Sequence, residues 1–233
     1  GRAPSTRWRL ASASVWASAW LTTLGAKEVI GVDVSSEMVK LAEQQTPREL
    51  PIRYVCADAI EVGGSSLGGE QFDVVLANYL LNYAKNEGEL QAYLAAARRV
   101  LAPSGLFLGA NEFSEPESRG GAMPAHGVVD QTAHGFVKTM EPEQVGVDGA
   151  PILIEMLQPV PPHSGWPSAK DGTAPGQKVL EFYNFYHSKE VYDRAFASAG
   201  FVPPVTRSMP ARSRRDSMLS YPWSRINRHT AAA

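Results

Sequence analysis

An α/β fold built on a mostly parallel sheet is the architecture this sequence predicts, and three segments predict it. They are Val29-Ile30-Gly31-Val32-Asp33, Arg53-Tyr54-Val55-Cys56-Ala57-Asp58 and Phe72-Asp73-Val74-Val75-Leu76-Ala77-Asn78. Each is an apolar run ending in a carboxylate or an amide, the pattern of a strand buried on both faces that delivers a polar group to one edge of the sheet. In an open parallel sheet that edge is where ligands bind.

The elements follow in order. After Asp33, Ser35 or Ser36 caps a helix whose apolar positions Met38, Leu41 and Ala42 fall at i, i+3 and i+4, and Pro47 stops it. Gly63-Gly64-Ser65-Ser66-Leu67-Gly68-Gly69 is too rich in glycine for a regular helix, since each glycine costs ~1 kcal/mol relative to alanine. That crossover is expected to be a loop. Leu90, Tyr93, Leu94, Ala97 and Leu101 trace a helical stripe from about Glu87 to Ala102, closed by Pro103-Ser104-Gly105, and Leu106 to Ala110 reads as the fourth strand of the visible core.

Beyond Asn111 the composition shifts. Nine of the 17 prolines lie between residues 112 and 178, with possible strands at Pro151–Met156 and from Lys178 to Tyr186. An extended β and loop insertion after the fourth strand accounts for this. Long insertions beside a ligand edge are usually functional, so this one is expected to cover the substrate. Ser188 then caps a helix with apolar Val191, Tyr192, Ala195, Phe196 and Ala199, ended by Gly200. Phe201-Val202 begins a last strand that Pro203-Pro204 confines to an edge. The expected organisation is one domain: an atypical N-terminus over 1–24, a cofactor-binding core over 25–111, the insertion over 112–178, the C-terminal part of the core over 179–206 and a basic tail over 207–233.

Composition excludes several classes. A chain of 233 residues, 44% hydrophobic and 20% charged, is long enough for one substantial core, and no membrane span is expected. A formal charge of −2 leaves no overall electrostatic footprint for nucleic acid. The lone Cys56 can form no internal disulfide, and no Cys/His cluster has metal-ligand spacing, which suits a reducing, cytoplasmic setting. A small-molecule partner fits best. Gly64-Ser65-Ser66-Leu67-Gly68 matches the Gly-x-Ser-x-Gly pattern of hydrolases, yet that elbow needs a strand before it and a helix after it, and here a strand follows. The arginines Arg207, Arg212, Arg214, Arg215, Arg225 and Arg228 make the C-terminal tail basic, and a solvated, loosely ordered end is the expected form.

The ordered strand ends resemble the class I S-adenosylmethionine-dependent methyltransferases, over about residues 20–111 and less closely over 178–206. The resemblance implies a Rossmann-like sheet with helices on both faces and a final antiparallel strand. It implies S-adenosylmethionine as cofactor and methyl transfer to a small-molecule acceptor. In that family the acid ending the second strand holds the ribose hydroxyls, which falls on Asp33 with Val34 beside it. A hydrophobic residue in the next helix packs on the adenine, which falls on Met38. Asp58 and the Ala59 N–H correspond to the adenine contacts, and Asn78 to the group facing the sulfonium. Tyr83 and His126 are the candidates for assisting proton removal from the acceptor, and no metal is implied. An Asn-Pro-Pro-Tyr motif is absent, since Tyr79-Leu80-Leu81 follows Asn78, which argues against nucleic-acid or protein-glutamine amines as acceptors.

One motif departs from the family. The glycine-rich turn expected about twenty residues before Asp33 falls on Leu10-Ala11-Ser12-Ala13-Ser14-Val15-Trp16, where no glycine remains, and Arg7-Trp8-Arg9-Leu10 lacks the family's acid. A Cβ at each turn position obstructs the methionine half of the cofactor. Residues 1–24 are therefore open to three readings: a degenerate first strand and turn, an Arg/Ser/Ala-rich targeting segment, or a truncated or misread motif. The targeting reading sits poorly with Leu21 to Ala26 running straight into the second strand. A damaged motif in a methyltransferase-like chain is preferred. A catalytically inactive binding or regulatory protein of the same fold is the alternative.

Overall fold

The computed structural model describes residues 8–10, 22, 25–62, 67, 71–111, 123–132, 135–158, 176–202, 205–207 and 226–230. The chain divides into two units. One comprises 1–81, 88–112 and 192–233, and the other 82–87 and 113–191.

The first unit is built on a sheet of β1 (Trp8–Leu10), β2 (Val29–Asp33), β3 (Ile52–Cys56), β4 (Phe72–Asn78), β5 (Leu101–Ala110), β10 (Val205–Arg207) and β11 (Ile226–Thr230). Its spatial order is β10-β11-β5-β4-β1-β2-β3. The first five strands run parallel, and β11 lies antiparallel between β5 and β10. The mixed sheet with one antiparallel strand is thus the Rossmann-like arrangement expected. A first strand does exist, at Trp8–Leu10, in the central position between β2 and β4.

Helix α1 (Ser36–Gln45) is capped by Ser35, whose Oγ accepts the Met38 N–H at 3.2 Å. Its buried side chains are Val39 and Ala42, not the expected stripe of Met38, Leu41 and Ala42. Met38 and Leu41 are each 43% exposed. Helix α2 (Glu87–Val100) buries Leu90, Leu94, Ala96 and Val100. It stops earlier than the periodicity implied, and β5 starts at once with Leu101. Pro103-Ser104-Gly105 sits inside that strand as an irregularity, where pairing steps from Phe72↔Leu101 to Val74↔Leu106. Gly105 is required there: a Cβ would lie 2.7 Å from Leu101 Cδ2 and 2.9 Å from the Phe72 carbonyl oxygen.

Helix α3 (Lys189–Ser198) starts at Ser188, whose Oγ accepts the Val191 N–H at 3.4 Å. Gly200, at φ +77°, ends it, and the Phe201 N–H returns to the Phe196 carbonyl at 3.0 Å. Phe107, Phe196 and Phe201 form a ring cluster with centroids 5.5–5.7 Å apart. Each such pair adds ~0.5–1.5 kcal/mol beyond area burial.

Two expectations for the C-terminal part are corrected. The last strands begin beyond Pro203-Pro204, with Phe201 making only an isolated bridge. The basic tail carries β11, paired with β5 over Ile226↔Ala110 to Thr230↔Leu106, so part of it belongs to the sheet.

The second unit holds a four-stranded antiparallel sheet in the order β6-β7-β8-β9, from β6 (Val128–Gln131), β7 (Phe136–Thr139), β8 (Pro151–Leu157) and β9 (Lys178–Phe185). β6 and β7 were not legible as strands. β9, expected to rejoin the core, pairs with β8 instead. The face carrying Ile152, Ile154, Val129, Met156 and Phe182 packs with Met123, Met140 and Ala150 as this unit's core.

Candidate functional site

Register brings the predicted groups to one edge of the first unit's sheet. Asp33 pairs with Cys56, Leu10 with Gly31 and with Leu76, and Asn78 with Ala110. Asp33 and Asn78 therefore each lie two residues beyond the level of Leu10, on either side of β1. Asp58 and Ala59 follow just past the end of β3. Residues 11–16, where the glycine-rich turn was sought, lie outside the described residues, as does all of the Gly63–Gly69 stretch except the buried Leu67.

Local geometry is settled by short polar contacts. Asp33 is half-buried, and its Oδ1 accepts the Ser35 N–H at 2.8 Å. Asp58 is exposed, and its Oδ1 accepts the Ile60 N–H at 2.9 Å. Both carboxylates shape the turn that follows them through one oxygen, Oδ1. The Cys56 thiol donates to the Val34 carbonyl at 3.6 Å, tying the ends of β2 and β3. Glu37, in the first turn of α1, has its carboxyl held below the ordinary range, by its own backbone N–H first and then by the hydroxyls of Ser36 and Ser35.

Two features at this edge run against packing economy. Val34, next to Asp33 in the chain, is 73% exposed, and Met38, in the first turn of α1, is 43% exposed. Tyr79, directly after Asn78, has φ +57° and is the one non-glycine residue with positive φ among those described. A bulky residue in that region stores ~1–3 kcal/mol of strain, the kind found at functional sites. Sequence reasoning had no means of seeing it, because no glycine marks the position.

The candidate proton acceptors belong to the second unit. Tyr83 is 44% exposed, and its ring centroid lies 6.0 Å from that of Phe182. His126 is exposed, and its Nδ1 accepts the Val128 N–H at 3.3 Å. Here too lie polar groups that the sequence did not single out: Asn82 and Asn184, both buried, and Lys138 on β7. Burial pushes the Lys138 amine down to about 8. No group of three or more His, Cys, Asp or Glu suited to a metal occurs among the described residues.

A parallel sheet with a half-buried acid ending its second strand, flanked by exposed apolar side chains, fits the adenosine half of S-adenosylmethionine. Charge-assisted bonds from two vicinal hydroxyls to such a carboxylate are worth ~1.5–3 kcal/mol each, and a flat heterocycle covers the apolar surface beside it.

Comparison with known proteins agrees. Residues 9–109, under half of the chain, match the family model described as a methyltransferase domain. YqeM of Bacillus subtilis, a methyltransferase by name, is 35% identical over 82 residues, which are 35% of this chain and 32% of YqeM. The match thus spans about a third of that relative's length. Among solved structures, the CcbJ methyltransferase of Streptomyces caelestis aligns over 99% of this chain and 85% of its own, at 18% identity and a TM-score of 0.66. CalS10 of Micromonospora echinaspora, an amino pentose methyltransferase solved with S-adenosylmethionine bound, aligns over 98% and 84%, at 18% identity and 0.62. The sugar N-methyltransferase KedS8 of Streptoalloteichus aligns over 98% and 81%, at 20% identity and 0.58. At these identities the structural likeness establishes the fold. No helix among the described residues is long and apolar enough to cross a membrane.

Proposed function

We propose that this chain transfers the methyl group of S-adenosylmethionine to a small-molecule acceptor carrying a nucleophilic amine or hydroxyl. The observation that carries the reading is the edge around Asp33: a half-buried carboxylate in register with Asn78, with Val34 and Met38 exposed beside it. In this reading Asp33 accepts from the ribose hydroxyls, Val34 and Met38 cover the adenine, Asp58 and the Ala59 N–H address its amino and ring nitrogens, and Asn78 faces the methionine side.

When bound, the sulfonium supplies the activated methyl. The protein's share is alignment of the acceptor, exclusion of water and acceptance of a proton, tasks that ask little of individual side chains. Tyr83 and His126 are the proposed proton-handling groups, and the insertion supplies the acceptor-recognising surface. CalS10, an amino pentose methyltransferase, and KedS8, a sugar N-methyltransferase, share this fold, which supports a hydroxylated amine as acceptor class. A cytoplasmic setting, with the exposed Cys56 reduced, completes the proposal.

The test is calorimetric titration with S-adenosylmethionine and S-adenosylhomocysteine. Heat with micromolar to submillimolar affinity supports the reading, and folded protein that gives none at millimolar ligand overturns it. A second reading, a methyltransferase-like protein that binds without catalysing, is favoured by one observation: no glycine occurs between residues 10 and 16. Cofactor binding with no S-adenosylhomocysteine released across a panel of amines and alcohols decides for it.

A further inference from the structure

The turn that follows β3 is held by a side chain from a distant helix. Arg99, the penultimate residue of α2, donates from Nη2 to the Ile60 carbonyl at 2.7 Å and to the Val62 carbonyl at 3.3 Å. Bonds from a charged donor are the stronger kind, and this pair joins residues up to 39 positions apart in sequence. The base of the clamp is firm, because the next two residues, Val100 and Leu101, are buried. All of these residues belong to the first unit.

The segment so held carries two of the groups proposed to address the adenine. Asp58 Oδ1 accepts the Ile60 N–H at 2.9 Å, and the Asp58 carbonyl accepts the Glu61 N–H at 3.0 Å. At the start of the turn, the Ala57 N–H donates to the Asp33 carbonyl at 3.0 Å, which ties it to the end of β2. Ile60 stands between two fixed points: its N–H holds the Asp58 carboxylate, and its carbonyl is held by Arg99. A shift of Ile60 moves the carboxylate with it.

We infer that Arg99 is a positioning residue for base selectivity, holding the Ile60 and Val62 carbonyls so that the Asp58 carboxylate and the Ala59 N–H keep the arrangement that selects an amino-bearing purine. The inference rests on the proposed placement of S-adenosylmethionine and adds a residue that sets base preference from outside the ligand's own contacts. A carboxylate acceptor beside an N–H donor matches the amino group of adenine and the bare ring nitrogen next to it. Hypoxanthine, with an oxo group and a protonated ring nitrogen, presents the reverse pattern. Arginine suits the task because its planar fork is rigid, whereas the lysine ammonium is a point charge on a flexible stem. The competing account gives Arg99 no part in binding: a cation in the last turn of a helix offsets the macrodipole, and Arg98 occupies the same turn.

The test is the ratio of affinities for S-adenosylhomocysteine and S-inosylhomocysteine, measured calorimetrically on the full chain in wild type, Arg99→Met, Arg99→Lys, Arg98→Met and Asp58→Ala. Wild type should favour the adenine ligand at least tenfold. Arg99→Met should lose at least tenfold in affinity for S-adenosylhomocysteine and less than twofold for S-inosylhomocysteine, so the ratio falls at least fivefold, as it should in Asp58→Ala. Combining Asp58→Ala with Arg99→Met should lower the ratio no further than Asp58→Ala alone, since both act through one carboxylate. Arg99→Lys should restore part of the ratio, and Arg98→Met, which removes an equal charge from the same turn, should keep all of it. An Arg99→Met variant with the wild-type ratio, whether both affinities hold or both fall together, reduces Arg99 to a stabilising contact and overturns the inference, as does an equal loss in Arg98→Met. Should Arg99→Met fail to fold, Arg99→Gln, whose shorter side chain gives up the clamp, is read by the same criterion. Equal affinity of wild type for the two ligands overturns the inference too. Failure of wild type to bind either ligand strikes the proposed function instead, so the two failures are distinct.

Discussion

The Asp33 carboxylate accepts the Ser35 N–H through Oδ1 at 2.8 Å, and Ser35 in turn caps α1 through its own hydroxyl. One oxygen of the acid thus holds the turn that leads into the helix, which leaves the other for a ligand. Asp33→Asn keeps a side-chain oxygen for Ser35 while removing the charge that favours two hydroxyl donors. Its affinity for S-adenosylhomocysteine should fall at least tenfold by calorimetry, with the melting temperature within about 2 °C of wild type. Equal loss of stability and affinity would assign Asp33 to the turn alone.

Met38 gives a second test on the same edge. It occupies a helix position where Val39 and Ala42 make the core contacts, so its truncation removes little buried surface. Met38→Ala should leave folding unchanged within about 0.5 kcal/mol. Loss of the ~1 kcal/mol or more that a covering apolar side chain contributes should appear as a five- to tenfold weaker cofactor. Unchanged affinity would make the 43% exposure of Met38 an ordinary surface feature.

The strand ends were legible because each is a pattern in consecutive residues: an apolar run, then Asp33, Asp58 or Asn78. β6 and β7 were not, since Val128–Gln131 and Phe136–Thr139 are only four residues each and mix charge with apolar side chains. They become strands through pairing with each other and with β8. β11 was hidden for a related reason: Ile226-Asn227-Arg228-His229-Thr230 sits in a basic stretch, and its partner β5 is more than a hundred residues away. The helix stripe of α1 misled in an informative way. Hydrophobic periodicity reports apolar positions without saying whether protein or ligand covers them, and Met38 and Leu41 face out of the core. Asn82 and Asn184 were invisible because burial of a polar side chain is a property of tertiary packing.

The irregularity in β5 yields a prediction on stability alone. Replacing Gly105 by alanine sets a methyl group 2.7 Å from Leu101 Cδ2, 2.9 Å from the Phe72 carbonyl oxygen and 3.0 Å from the Ala102 carbonyl oxygen. Two of the three are backbone atoms held by the sheet, so the strand must shift. Gly105→Ala should destabilise by ~1–3 kcal/mol in urea unfolding. Little or no change would mean the strand yields at low cost. Cofactor affinity should be retained under native conditions, since Ala110 and Asn78 lie at the far end of the paired segment.

Lys138 sets a pH dependence of known sign. Its amine, on the sheet face with Val129 and Ile154 as cross-strand neighbours and 5.1 Å from the Phe136 centroid, is pushed from 10.5 down to about 8 by burial. The unfolded chain keeps the proton up to about 10.5 and the folded chain releases it near 8. Across that window the unfolded state binds more protons, so stability rises with pH, and the penalty is complete below pH 8. Its size is on the order of 3 kcal/mol. Lys138→Met keeps the apolar stem, so it should raise stability at pH 7 and remove most of the rise between pH 8 and 10. A variant whose profile parallels wild type would refute this assignment.

Tyr79 provides the sharpest separation of stability from function. Its φ of +57° follows directly on Asn78, at the end of β4 where the cofactor's methionine side is proposed to lie. Glycine adopts that conformation without the Cβ clash, so Tyr79→Gly relieves strain in the folded state while giving the unfolded chain more freedom. The two backbone effects oppose each other, and the ring, 40% exposed, takes with it the area it buries. Stability should therefore fall by no more than about 2 kcal/mol in denaturant melts. Methyl transfer, read as S-adenosylhomocysteine released, should fall at least tenfold, because glycine lets the turn that follows Asn78 sample other conformations and removes the ring beside it. Tyr79→Ala keeps the Cβ and the strain but loses the ring, and comparison of the two variants assigns the loss to the backbone or to the phenol. If both variants retain full activity, the positive φ is a local accommodation with no part in catalysis.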